Sequence, residues 1–225
     1  MDDNKTLSNA ELELTQKIQM HFPRGIISLD VLKAWNSSKK ELITARLIET
    51  FGKRPGKNSF EFEKDPILTL IATVKVPART GRFVAKVHFI VDTGKKAKVK
   101  ISYLGDNFRE HFLGKTEEPT SETTLCQHEL KKPSRDIPII SELGGENKAE
   151  TTLSAMFGLM EMQPNGETGT LLTNGYANIF YVRDLGGVLW TVRCLWSGVG
   201  WLVGASSVDS PRDWDAGDRV FSCNS

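Results

Sequence analysis

Val192-Arg193-Cys194-Leu195-Trp196-Ser197-Gly198-Val199-Gly200-Trp201-Leu202-Val203-Gly204-Ala205-Ser206-Ser207 reads as two strands joined by a tight turn, and its two faces obey different rules. Strand side chains alternate with period two. Val192, Cys194 and Trp196 therefore share a face with Trp201, Val203 and Ala205 across the turn, a set suited to a core. The other face carries Arg193, Leu195, Leu202, Gly204 and Ser206, which have no shared chemistry. An ordinary exposed strand face is built from Thr, Lys and Glu, chosen for β-propensity and solubility. A regular inner face beside a patternless outer face suggests a scaffold that displays a binding surface.

The strand pattern extends outward from this hairpin. After Pro164-Asn165-Gly166 the spacing predicts strands over 170–173, 177–183, 188–196, 201–208 and 219–222. Four of the five tryptophans (Trp190, Trp196, Trp201 and Trp214) fall in the last 36 residues. They point to a small, irregular core with long loops. Trp196, Trp201 and Trp214 read as structural, whereas the side taken by Trp190 stays open.

Upstream, strands are expected over 67–76, 83–91 and 99–104, then a helix over 107–113 with Phe108 and Phe112 on one face. A polar loop over 114–124 precedes a short strand at 125–130 and a short buried element at 137–143. The longest helix is expected over 146–162, with Ala149, Leu153, Met156, Phe157 and Met160 at helical spacing. The first fifty-odd residues carry three short helical stripes, with capping-box spacing at Ser8/Glu11 and Ser38/Glu41. The expected organisation is a helical module over 1–52, a polar linker over 53–66 and an α+β domain over 67–225 with its strands concentrated late.

Bulk properties narrow the function classes. At 225 residues, 39% hydrophobic and 25% charged, the chain has a globular composition, and its formal net charge of +1 gives no general attraction to nucleic acid or membrane surfaces. No apolar run approaches the roughly 20 residues a membrane helix needs. The acidic, polar start MDDNKTLSNAELELTQK is not a secretory signal, so the cytoplasm is the default location, with unconventional export as the alternative. Three cysteines without a close pair argue against a disulfide framework or zinc ribbon.

Catalytic and metal signatures are sparse. His21, His88, His111 and His128 lack ligand spacing, no phosphate-binding glycine loop is present, and Gly198-x-Gly200 belongs to a hairpin turn. The run Lys95, Lys96, Lys98 and Lys100 reads as a solvated strand edge. Asp209, Asp213, Asp215 and Asp218 supply the oxygen ligands a calcium site would use. Arg212 and Arg219 flank them, and neither an Asp-x-Asp-x-Asp-Gly loop nor a closing glutamate exists. No metal and no cofactor are expected.

The tail resembles a known family. Gly-Tyr-Ala-Asn-Ile-Phe-Tyr-Val-Arg-Asp (175–184), the two-tryptophan hairpin and Arg-Val-Phe-Ser-Cys-Asn-Ser (219–225) resemble an uncharacterised family of candidate-phylum bacteria. Phe-Val-Ala-Lys (83–86), Lys-Ile-Ser-Tyr-Leu-Gly-Asp-Asn-Phe (100–108) and Ile-Ser-Glu-Leu-Gly-Gly-Glu (140–146) resemble it too. That family is similar to the variable proteins of diversity-generating retroelements, in which an error-prone reverse transcriptase rewrites chosen codons at the 3′ end of a gene.

The resemblance implies a C-type lectin-like domain of the branch related to formylglycine-generating enzymes. It also implies rewritten positions at Arg193, Leu195, Ser197, Gly198, Leu202, Gly204, Ser206, Ser210, Asp213, Asp215 and Asp218. Cys223 and Cys194 depart from the family pattern, standing where an arginine and an aliphatic residue are expected. The function expected is ligand binding without catalysis, the target being a protein or cell-surface ligand rather than nucleic acid. An enzyme related to formylglycine-generating enzymes and a calcium-dependent carbohydrate binder are the alternatives.

Overall fold

The chain divides into two units, residues 1–62 and 63–225, and the computed structural model describes residues 65–223, all in the second. The expected helices over 1–52 and nearly all of the linker lie outside the described residues. In chain order the elements are β1 (Leu68–Val76), β2 (Phe83–Val84), α1 (Ala85–His88), β3 (Ile101–Leu104), α2 (Asp106–Phe112), β4 (Thr116–Glu117) and β5 (Thr123–Leu130). They continue with α3 (Asp136–Glu142), α4 (Glu146–Ala149), α5 (Leu153–Glu161), β6 (Asn178–Arg183), β7 (Leu189–Trp196), β8 (Trp201–Ser207) and β9 (Arg219–Cys223).

Seven strands form one mixed sheet in the order β1-β5-β9-β6-β7-β8-β3, with β2 and β4 paired separately. The β9–β6 and β8–β3 neighbours run parallel and the others antiparallel. The expected strands at 67–76, 99–104, 125–130, 177–183, 188–196, 201–208 and 219–222 each have a counterpart. The mixed α+β class therefore stands.

Central β6 is buried on both faces, and its side chains sort into two cores by alternation. Phe180 and Val182 join Val192, Cys194, Trp201, Val203 and Phe221 on one face, under Phe108 and Phe112 of α2 and Leu153, Met156, Phe157 and Met160 of α5. Ile179 and Tyr181 join Leu130, Leu189 and Val220 on the other, against Ile139 and Ile140 of α3 and Ala149 of α4. Leu195 near the end of β7, Val208 and Trp214 pack against the margin of this second layer as partly buried side chains. Beyond that margin the outward positions of β7 and β8, Arg193, Leu202 and Gly204, stay partly exposed.

Three local expectations are corrected. The helix expected over 146–162 is two helices, because Glu150 leaves α4 with extended backbone and Thr151 donates both its N–H and its hydroxyl to the Tyr181 carbonyl, at 2.7 and 3.1 Å. Thr152 then caps α5 by accepting from Ala155 N–H, and the Glu117 carboxylate accepts from Leu153 and Ser154 N–H. The strand expected over 83–91 ends at Val84. The single turn α1 instead stacks Phe83 on His88, with ring centroids 4.4 Å apart, and sends Phe89 against Phe108 and Phe157. The strand expected over 170–173 is irregular backbone. Its polar groups are met by two buried amides, Gln163 bonding Leu171 N–H and C=O and Asn178 bonding Leu172 N–H and C=O.

Candidate ligand-binding depression

The pleat of β7 and β8 sets the floor of the site. Register pairs Val192 with Ala205 and Cys194 with Val203 on the core side, all buried. Trp196 is half-buried, packed edge-on to Trp201 at 5.3 Å between ring centroids, and Trp201 is fully buried. Trp190 also lies against this core and donates its indole N–H to Asp184 at 3.0 Å, which settles its side. On the opposite side Arg193 pairs with Gly204 and Leu195 with Leu202, all partly exposed. These four form the floor of an open depression of about 1170 Å3.

One wall comes from the end of β3 and the start of α2, where Tyr103, Gly105, Asp106 and Asn107 line the space. Asn107 is held there by donating to the Ala205 carbonyl at 3.2 Å. The other wall comes from 174–177 and the loop 212–218.

That loop is anchored rather than loose. Trp214 exchanges backbone hydrogen bonds with Ser134, and its indole N–H donates to Asp136 at 2.8 Å. Tyr181 donates its hydroxyl to the same carboxylate at 3.0 Å. Burial pushes the Asp136 carboxyl above its usual range, opposed by the donors Trp214, Thr191 and Tyr181 and by the charge of Arg193. The Thr191 hydroxyl contributes from beyond hydrogen-bonding geometry, since it has no bonded partner among the described residues.

The expected site residues divide accordingly. Arg193, Leu195, Leu202, Gly204, Asp213, Asp215 and Asp218 line the depression. Ser197 and Gly198 lie in the hairpin turn outside it, where Ser197 is tied to Gly200 and Ser102. Ser206 and Ser210 are also off the lining.

Two of the lining acids are already engaged. Asp218 is buried and accepts from Ala177 and Asp215 N–H at 2.7 and 3.0 Å, so it works as a backbone clamp. Asp213 meets Arg135 at 3.3 Å in an exposed pair. Gly204 has ordinary backbone, and the nearest atoms a Cβ there would meet belong to the Arg193 guanidinium, at 3.4 Å or beyond, so the position accepts a side chain. Gly198 has open space but a φ of +89°, which burdens most replacements with strain.

Arg193 is the most unusual side chain of the floor. Its guanidinium lies over the Trp214 ring, 5.8 Å from the centroid. Burial and the nearby Arg212 pull it below its ordinary range, with Asp136 acting in the opposite sense.

Sequence reasoning missed Tyr103, Asp106, Asn107, Asn174, Tyr176 and the anchor Asp136. Four of these (Tyr103, Asp106, Asn107 and Tyr176) sat inside stretches that carried the family resemblance, but nothing in those stretches marks them as neighbours of the hairpin. Cys194 is fully buried, and burial holds it as the neutral thiol. Among the described residues no three His, Cys, Asp or Glu side chains converge as a metal site. No helix among them is long and apolar enough to cross a membrane. Comparison with protein-family models, with curated proteins and with solved structures returned no match.

Proposed function

We propose that this chain is a non-catalytic ligand-binding protein whose C-terminal domain presents a diversified surface on a C-type lectin-like scaffold. The observation that carries the reading is the division of β7 and β8. Residues expected to stay constant are packed in a core, and Arg193, Leu195, Leu202 and Gly204 form the floor of a concave surface. A rigid strand pair allows such side chains to vary, because each replacement changes the surface without opening a cavity beneath it. Stretches that carry the resemblance also surround the depression, with Tyr103 to Asn107 on one wall and Gly175 to Ala177 on the other. Affinity would come from a few anchors on a preorganised surface, which limits the entropy lost on binding.

The test is genetic. Sequencing the gene across isolates should place substitutions at the outward positions of β7, β8 and the 210–218 loop. A near-copy template with asparagine codons at those positions should lie beside a reverse transcriptase gene. Variation spread evenly over Val192, Trp201 and Val203, or the absence of any template, would rule out diversification. The surface positions of β8 allow an independent check: Gly204→Trp should fill the depression and leave the thermal midpoint unchanged.

A further inference from the structure

Two guanidinium groups line the depression, Arg193 from its floor and Arg212 from its wall. Neither forms an ion pair in direct contact with a carboxylate among the described residues, although Arg193 feels the charge of the buried Asp136 and four aspartates line the same space. Asp218 and Asp213 are committed as described above, and Asp106 and Asp215 stand exposed at the rim. The Arg193 guanidinium makes no hydrogen bond to any described residue, its backbone alone being paired in the sheet. A guanidinium carries five donors in a rigid planar fork and accepts nothing, so only an added acceptor can satisfy it. The Trp214 ring beside it, itself fixed by Asp136, holds that fork in place before any ligand arrives. Partial burial limits competing water and strengthens a charge-assisted bond made there.

We propose, resting on the ligand-display reading above, that the depression binds an acidic peptide segment: one side-chain carboxylate accepts from the Arg193 fork while flanking apolar residues pack on Leu195, Leu202, Tyr103 and Tyr176. Polyanions fit poorly. Nucleic acid or a sulfated glycan needs a row of cations, and here only two stand among rim carboxylates that would repel a second or third negative group. A peptide with a single Asp or Glu between apolar residues matches the Arg193 fork and the apolar side chains Leu195, Leu202, Tyr103 and Tyr176 that line the same depression. Charge selectivity in this variant therefore comes from the floor arginine rather than from the aspartates of the loop.

The test is to pan a phage-displayed random peptide library against the full chain and then measure the enriched peptides on three proteins: wild type, Arg193→Met and Gly204→Trp. Enriched peptides should carry an Asp or Glu beside apolar residues. Arg193→Met should weaken them by roughly tenfold or more, the range for a bond to a charged group, with the thermal midpoint unchanged. Replacing the peptide's acid by its amide should cost a similar factor, and the two changes together should cost little more than either alone.

Neutral peptides that ignore Arg193→Met but are blocked by Gly204→Trp would overturn the acidic-peptide proposal and leave the display surface standing. Peptides indifferent to both variants would overturn the binding site as well. Failure to enrich any peptide, with heparin-agarose retention lost in Arg193→Met, would replace the peptide by a polyanion and so overturn the proposal.

Discussion

The indole N–H of Trp214 donates to the buried carboxylate of Asp136 at 2.8 Å, and this bond joins the loop that walls the depression to the helix layer behind the sheet. Tyr181 of β6 donates to the same carboxylate, so one acid organises three elements. The wall is thereby held at a fixed height above Arg193. A depression with a rigid wall binds with less ordering than one closed by a free loop.

Asp136→Ala strands two donors, the Tyr181 hydroxyl and the Trp214 indole N–H. Destabilisation of about 2–4 kcal/mol is expected, since each unsatisfied buried donor costs about 1–3 kcal/mol. Urea unfolding measures it. Trp214→Phe, which removes one donor and keeps the ring, should cost clearly less. Equal costs for the two variants would show that the carboxylate does not organise the wall.

The two faces of the hairpin should respond differently to truncation. Trp201 is fully buried and donates its indole N–H to the Gln163 carbonyl at 3.3 Å. Trp201→Ala should cost about 3–5 kcal/mol, against less than about 1 kcal/mol for Leu202→Ala on the open face. Thermal unfolding of both variants checks the ratio, and a large loss for Leu202→Ala would place it in the core.

Glycines separate steric from conformational cost. A Cβ on Gly166 would come within 2.1 Å of the Trp196 indole, and its φ is +72°. Gly198 has the same sign of φ, +89°, but open space around it. Gly198→Ala should cost about 1–2 kcal/mol from the left-handed backbone alone, with Gly198→Asn milder because asparagine tolerates that region. Gly166→Ala should cost more than Gly198→Ala. Denaturant midpoints across the series decide it.

Acid should destabilise the fold through His128. Burial disfavours its imidazolium and lowers its pKa, against the opposing influences of the Val220 backbone and Glu142. The unfolded chain, with an ordinary histidine pKa near 6.5, then binds the proton more readily than the folded one. Stability is therefore full above about pH 6.5 and is lost as pH falls through that value toward the lower folded-state pKa. Unfolding at pH 7.5 and pH 5.5 should show this loss, and His128→Asn should reduce it. A loss equal to that of wild type would remove His128 as its source.

Much of the architecture was legible because its signals are local. Helix α2 followed from Phe108 and Phe112 one turn apart, and both are buried. The spacing of Ala149 with Leu153 is equally regular, yet these residues enter cores on opposite faces of the sheet. Periodicity reports which residues seek burial but not which side of a sheet buries them. The Tyr181 carbonyl, some thirty positions away, takes the two Thr151 donors and breaks the helix between them. Backbone satisfied by the Gln163 and Asn178 side chains misled in the same way over 170–173, since those amides look like ordinary surface polar residues until they are found buried.

By itself the sequence determined the two faces of 192–207, because the alternation of side chains along a strand is a consequence of covalent geometry. It also marked Arg193, Leu195, Leu202 and Gly204 as outward, and they are. Only the tertiary structure decided that this outward face is concave, that Trp214 and Tyr103 stand on its opposite sides, and that Asp218 is a clamp rather than a displayed acid. Those outcomes depend on contacts between segments about a hundred residues apart, such as Asn107 with Ala205. Their free energy comes from burial and hydrogen bonding across the sheet, to which neighbouring residues in the chain contribute no signal.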